Sequence, residues 1–279
     1  MSAPARPSGT TAAVPPLLVS LRALVRRGLR DNRRTPLTWG GSLGALSAMI
    51  IFIWPSIEDS VSELMQSYPE GLKEAFGITD LNSVEAYFDA EMLSLMVPLG
   101  VAFLAVRTIS RGISGAEERA WLDTLLATPL SRERLVAGSF IITGIVVAAV
   151  LFVMLLITIV AGFVSGTDPS VAVIGRGVAN VWPLSMFFAG LAVLLAGRLR
   201  SAAPVTALAA GVLVAMYLID LLGKVADPIE PLRWISAFRY YGSAVQNGID
   251  PLAFIGLTVA GVVLAALGAL LLSRRDIAA

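Results

Sequence analysis

The chain of 279 residues contains no cysteine and no histidine, and only 15% of it is charged. Without cysteine there are no disulfide frameworks and no thiol nucleophiles. Without histidine there are no Ser-His or Cys-His triads and no HExxH zinc chemistry. Carboxylate chemistry survives these exclusions, or no chemistry at all. The scarcity of charge is equally informative, because a soluble domain carries about a quarter charged residues. Here 56% of residues are hydrophobic and mean hydropathy is +0.79, the proportions of an integral membrane protein.

A hydrocarbon core about 30 Å thick takes about 20 mainly apolar residues per helix. Six such runs, bounded by charge or by Pro and Gly, lie at 37–57, 92–109, 136–164, 171–196, 202–222 and 252–272. They predict an all-α membrane protein with six transmembrane helices. The third and fourth runs are the longest and most apolar, the second is the shortest and carries Arg107 at its end, and the fifth ends in Asp220. Lys and Arg collect in short cytoplasmic loops. With both termini inside, only Lys73, Arg176, Lys224, Arg233 and Arg239 of the 21 basic residues fall on the outer side. The net charge of +1 therefore hides a basic inner and an acidic outer face, and gives no reason to expect a nucleic-acid partner.

Residues 1–16 are rich in Ala, Pro, Ser and Thr with no apolar core, and read as a disordered cytoplasmic tail, not a signal peptide. In residues 17–35, Leu17, Leu21, Leu24, Val25 and Leu29 recur at helical spacing opposite Arg22, Arg26, Arg30 and Arg33. That pattern predicts an amphipathic interfacial helix; the plainer alternative is a basic flank that only sets topology. Residues 36–279 make up the six-span domain.

Three connections carry more than a loop requires. Residues 58–91 hold nine acidic residues against Lys73. Ile57, Val61, Leu64, Met65 and Tyr68 share a helical face, Pro69 and Gly71 break it, and Asn82 or Ser83 caps a helix through Tyr87 and Phe88 into the second span. Amphipathic helices over the outer mouth are expected, as a gate or as a solvated cap. In residues 114–135, Ser114 and Glu117 fit a capping box, Trp121, Leu122, Leu125 and Leu126 form an apolar edge, Pro129 ends the element and Ser131 caps the next helix. An apolar edge beside Glu117, Glu118, Arg119 and Asp123 suits a docking surface, although the same edge could rest on lipid headgroups. In residues 223–251, Pro228, Pro231 and Gly242 permit a partly re-entrant helical hairpin, with Trp234, Phe238, Tyr240 and Tyr241 at the water interface; a simple aromatic belt is the alternative.

These features together resemble the ABC-2 type permeases, the membrane subunits of ATP-binding-cassette exporters. The six-span layout with its basic lead-in helix is similar to theirs. So is the stretch EERAWLDTLLATPLSR at 117–132, which resembles the family's coupling segment with the order of its core permuted at Asp123. The ISAFRYY stretch at 235–241 resembles the family's Ser-Pro-Phe signature, with Ala237 in the Pro position, and Arg274, Arg275, Asp276 and Ile277 resemble its ending. The resemblance implies a permease subunit of an exporter in a prokaryotic cytoplasmic membrane, paired with a second copy or a paralogue. A separate ABC ATPase subunit would dock on a coupling helix at Glu117, Glu118, Arg119, Trp121, Leu122, Asp123 and Leu125. It further implies a translocation path or dimer seam on spans two and five, with Pro98, Gly100 and Phe103 opposite Met216, Leu218 and Ile219. No GxxxxGK[ST] loop occurs, so ATP and Mg belong to the partner; this chain is expected to bind no cofactor or metal and to be no enzyme by itself.

The rival reading is a stand-alone secondary transporter or channel. Such proteins place ionisable residues deep in their helices, whereas the predicted spans are almost free of charge, with Arg107, Arg176 and Asp220 near their ends. Gly40 with Gly44, and Gly162 with Gly166, have small-xxx-small spacing and are expected to be packing sites, within the chain or at the dimer seam.

Overall fold

The computed structural model describes residues 17–67, 83–115, 132–226 and 228–274, and every regular element among them is helical. Six helices are long and apolar enough to cross a membrane: Pro36–Val61, Val84–Gly112, Arg132–Ser165, Val171–Ala196, Ala202–Gly223 and Pro251–Ser273, here spans one to six. The chain is a multi-pass membrane protein.

Span two departs most from its sequence expectation. It begins at Val84 instead of residue 92, and at 29 residues it exceeds span four, which has 26; span five, with 22, is the shortest. Glu85, Asp89 and Glu91 make its first turns look like loop, but two of these carboxylates are given partners. The Glu85 carboxylate accepts the backbone N–H of Ser170 at 2.8 Å, and that of Asp89 accepts the hydroxyl of Ser243. Ser83 starts the helix as expected, its side chain accepting the N–H of Ala86 at 3.2 Å. Pro98 cannot donate to the carbonyl one turn before it, and just ahead of it the helix widens to a π-helical stretch, Asp89–Met96.

Among the described residues, the helix expected at Ile57, Val61, Leu64 and Met65 is continuous with span one. The helix Gly41–Ser67 carries span one past Glu58, Asp59 and Glu63 without a break, with Ile57 and Val61 packed on the core. Residues 68–82, including Pro69 and Gly71, lie outside the described part.

Spans two and four form the centre. Protein buries 56% of the most apolar stretch of span two and 67% of that of span four, against 33%, 22% and 28% for spans one, five and six. Along span two, Phe88, Met92, Val97, Val101, Ala105 and Ile109 are fully buried at intervals of four or five residues. Span four supplies Ile174, Val181, Leu184, Phe188 and Ala192 to the same core.

Spans four and six meet backbone to backbone. A Cβ placed on Gly190 would lie 2.1 Å from the Gly261 carbonyl oxygen, and one on Gly197 would lie 2.7 Å from that of Gly268. The reverse contacts are as tight, Gly261 to the Met186 carbonyl and Gly268 to the Val193 carbonyl, each at 2.5 Å. The contact recurs every seven residues in the same direction on both helices. It thus demands a shallow, parallel crossing, with only glycine at the crossing points.

The glycines of small-xxx-small spacing, expected as packing sites, pack inside the chain. A Cβ on Gly40 would lie 2.7 Å from the Val150 carbonyl oxygen, and one on Gly44 would lie 2.8 Å from Ile157. This lays span one along span three in the same direction. Gly162 faces Pro169, and Gly166, at φ +74, turns the chain towards span four.

The lead-in helix, Leu17–Asp31, seats on span three through two small residues. Leu21 and Leu24 fit over Gly138, and Ile142 fits over Gly28, while Arg22, Arg26, Arg27 and Arg30 remain exposed. The spans alternate in direction, so one end of the bundle gathers Arg27, Arg107, Arg111, Arg132, Arg134, Arg198, Arg200 and Arg274. Among the bonds that tie that end together, Arg132 donates to the Leu272 carbonyl at 2.7 Å and Ser114 to the Leu199 carbonyl at 3.4 Å.

Gly261→Leu is expected to destabilise the protein by about 3 kcal/mol, the upper range for overpacking a closed contact. Gly256→Leu, on the open face of the same helix, is expected to be neutral. Thermal unfolding of the two variants in one detergent, followed by size-exclusion chromatography, checks the difference.

Candidate functional site

Three helix faces converge at the arginine-rich end on a cleft of about 570 Å³. The lead-in helix contributes Leu24, Arg27, Gly28 and Asp31, and the chain continues along the wall with Asn32, Thr35 and Trp39. Span two adds Leu104, Arg107, Thr108 and Arg111; span three adds Leu135, Ser139 and Ile142. Each set has the i, i+3 or i+4, i+7 spacing that places side chains on one side of a helix. The cleft therefore follows from how the helices pair.

Its chemistry is unbalanced. Three arginines line it against the single carboxylate of Asp31. Arg107 and Arg111, one turn apart, have no hydrogen-bond or ion-pair partner among the described residues. Some polar groups are turned back on their own helices: Thr108 donates to the Leu104 carbonyl at 2.8 Å, and the Asn32 amide to that of Gly28 at 2.9 Å. Beside them, Leu24, Leu104, Leu135 and Ile142 supply apolar wall. A site with donors in surplus beside an apolar wall suits an amphipathic ligand with acceptor or anionic character.

At the opposite end an insert packs onto the spans. Between spans five and six the chain forms a 3-10 turn, Glu230–Ile235, and two short helices, Ala237–Tyr241 and Ala244–Asn247. This insert is bolted to the span ends mainly through backbone carbonyls. The Asn180 amide donates to the Tyr241 carbonyl at 2.6 Å, Arg176 to that of Val245, Tyr241 O–H to that of Leu93 at 3.0 Å and Ser236 O–H to that of Met216 at 2.7 Å. Asn180 lies nine residues into span four, so the insert reaches about 14 Å down that helix.

Burial, with the nearby Asp89 carboxylate adding to it, pushes the Tyr241 phenol far above its usual range; it stays a donor throughout the physiological range. Phe238 is the hub of the insert, with Phe188, Tyr217 and Tyr241 rings at 6.1, 5.4 and 6.5 Å. Phe238 and Tyr241 are therefore core residues and not interface aromatics. Trp234 and Tyr240 are the exposed pair, with Arg239 stacked 3.9 Å over Trp234.

Of the charges expected near span ends, Arg176 and Asp220 are engaged. Asp220, 4% exposed, pairs with Arg233 at 3.1 Å and with Lys224 at 3.0 Å. A residue larger than Gly223 would collide with the Arg233 stem. This is a buried charge with two cations, an arrangement in which removing one member costs more than the pair contributes.

The expected coupling residues, Glu117, Glu118, Arg119, Trp121, Leu122, Asp123 and Leu125, all lie outside the described residues. Of the expected path residues, Pro98 is buried within the chain. Phe103 and Met216 pack against the core from half-buried positions, Gly100 and Ile219 are half-buried and Leu218 is exposed. Spans two and five are neighbours within the chain. The free face of span five runs through Leu208, Gly211, Ala215, Leu218 and Leu222. Sequence reading had counted Arg107 and Arg111 for topology alone; their shared face with Leu104 and Thr108 was the available sign of a site.

Residues 23–272 match the family described as the multidrug efflux system permease Rv1217c, C-terminal domain. No curated relative matches the chain.

The absence of cysteine allows a direct test of the cleft. Thr108→Cys and Thr35→Cys are expected to react with an anionic methanethiosulfonate about tenfold faster than with a cationic one, because the arginines concentrate anions there. Ser185→Cys, in the closed core, is expected not to react; mass spectrometry of the labelled protein reads all three.

Proposed function

The chain belongs to the family of the multidrug efflux permease Rv1217c C-terminal domain, and on that premise we propose that it is the permease subunit of an ABC-2 type exporter. In this reading it forms the translocation path, while a separate ATPase subunit binds ATP and Mg and performs all the hydrolysis. The observation that carries it is the family match across all six spans of a chain that has an acidic and apolar segment at 117–132, between spans two and three, and no phosphate-binding loop of its own. That segment joins the arginine-rich ends of its two spans. By the positive-inside rule those ends face the cytoplasm, as do both termini, and there an ATPase would find Glu117, Glu118, Arg119, Trp121, Leu122, Asp123 and Leu125.

The lead-in helix, with its arginines exposed, would lie along the inner headgroups. The cleft beside it would open to the cytoplasm, and the insert at Ala237–Asn247 would be a re-entrant element under the outer surface. The description of the related permease as having a C-terminal domain supports a functional unit larger than six spans. A second copy or a paralogue supplies the rest in this proposal, meeting the free face of span five at Leu208, Gly211, Ala215, Leu218 and Leu222, with Phe103, Met216 and Ile219 behind it. Amphipathic compounds are the cargo class that the apolar spans favour.

One observation favours the rival secondary transporter. Asp89 sits 7% exposed inside span two, and buried intramembrane carboxylates are the usual sites of proton coupling. Here its Ser243 partner makes it a clasp between span two and the insert.

Trp121→Asp with Leu125→Asp is expected to abolish cargo-stimulated ATP hydrolysis in a reconstituted complex while membrane insertion is kept; unchanged stimulation sinks the coupling assignment. Asp89→Asn is expected to leave ATP-driven efflux within about twofold of the parent and to lower thermal stability by about 1 kcal/mol, the worth of one hydrogen bond. Efflux that survives ATP depletion and vanishes in Asp89→Asn would establish the secondary transporter instead.

A further inference from the structure

We infer that the cleft at the arginine-rich end is a resident binding site for an anionic phospholipid, its phosphate held between Arg107 and Arg111 and its chains against Leu104, Leu135 and Ile142. The inference stands on the cleft itself and holds whether or not an ATPase works with this chain.

The first ground is the missing acceptor. Two guanidinium groups on consecutive turns of span two share a concave wall with no partner among the described residues. Like charges so placed repel one another, a cost that an anion between them removes. A phosphate fits better than a carboxylate, since its oxygens can accept from both planar forks at once. The second ground is the surplus of other donors. The indole N–H of Trp39 and the hydroxyls of Thr35 and Ser139 also line the cleft with no hydrogen-bond partner among the described residues. Asp31 is the one carboxylate among the described residues that line the cleft, beside Arg27, Arg107 and Arg111.

The third ground selects the source of the phosphate. A free phosphate needs polar walls on every side, but this cleft continues into the apolar face formed by Leu104, Leu135 and Ile142. Its volume of about 570 Å³ matches sites that hold small organic ligands and not a lone ion. It also lies at the level where the lead-in helix ends and the spans begin, the depth of the headgroups. Basic pockets between helices at that depth suit anionic lipid heads.

The test uses the full-length chain in a neutral detergent, titrated with dioctanoyl phosphatidylglycerol, dioctanoyl phosphatidylcholine and inorganic phosphate. Binding is read by native mass spectrometry and by thermal shift. Phosphatidylglycerol is expected to bind about tenfold tighter than phosphatidylcholine, and Arg107→Gln with Arg111→Gln to lose that advantage, the worth of one charge-assisted hydrogen bond. Should that double variant not fold, Asp31→Asn is the second reading, expected to strengthen phosphatidylglycerol binding about threefold by removing the opposing charge. Equal binding of the two lipids, or a preference unchanged in whichever variant folds, overturns the site. Displacement of phosphatidylglycerol by millimolar inorganic phosphate overturns the lipid and assigns the cleft to a free anion.

Discussion

A bilayer offers helices no hydrophobic reward for meeting one another, so a bundle inside it must be held by close packing and by polar bonds. In this protein the closest backbone-to-backbone packing of two spans, among the described residues, is the glycine contact between spans four and six. Gly190 against Gly261 and Gly197 against Gly268 bring two backbones together over two turns each, which fixes span six along span four with no freedom to slide. Span four is also the most buried helix, so the position of span six is referred directly to the core. The insert that joins spans five and six is thereby confined above span four, within reach of Asn180 and Arg176.

The two ends of the bundle are built on opposite plans. At the insert end nearly every polar group near the core has been matched: Asp220 with Arg233 and Lys224, Asp89 with Ser243, Tyr241 with the Leu93 carbonyl. At the arginine-rich end span two presents Arg107 and Arg111 to a cleft where, among the described residues, neither has an ion-pair partner. Matched buried groups hold one arrangement rigidly, whereas unmatched donors invite a ligand. The asymmetry in charge thus reappears as an asymmetry between closure and access.

Much of this architecture was legible in the sequence. Apolar runs and their bounding charges placed five spans closely, because a helix that must cross hydrocarbon has little choice of composition. Span two was misjudged at its start for a definite reason: Glu85, Asp89 and Glu91 look like loop residues until their partners at Ser170 and Ser243, far along the chain, are known. The glycine contacts were hidden similarly. Gly40 and Gly44 drew attention by their local spacing, but the seven-residue steps in spans four and six have meaning only when the two helices are laid side by side. The cleft lay beyond sequence reading because it joins faces of three separate helices, each ordinary alone. Trp234, Phe238, Tyr240 and Tyr241 all read alike as interface aromatics; in the structure Phe238 and Tyr241, three apart on one short helix, share its buried face while Trp234 and Tyr240 are exposed.

The manner in which the insert is fastened has an evolutionary consequence. Four side chains and hydroxyls grip it or bind from it through main-chain carbonyls, at Tyr241, Val245, Met216 and Leu93, and a carbonyl is the same in every residue type. Gly242, at φ +53, keeps the path of the chain between the two short helices. The exposed positions Leu232 and Ile235 are consequently released from structural duty. Descendants of this gene can exchange them freely and present a different surface at that end of the molecule while the closure beneath is inherited unchanged.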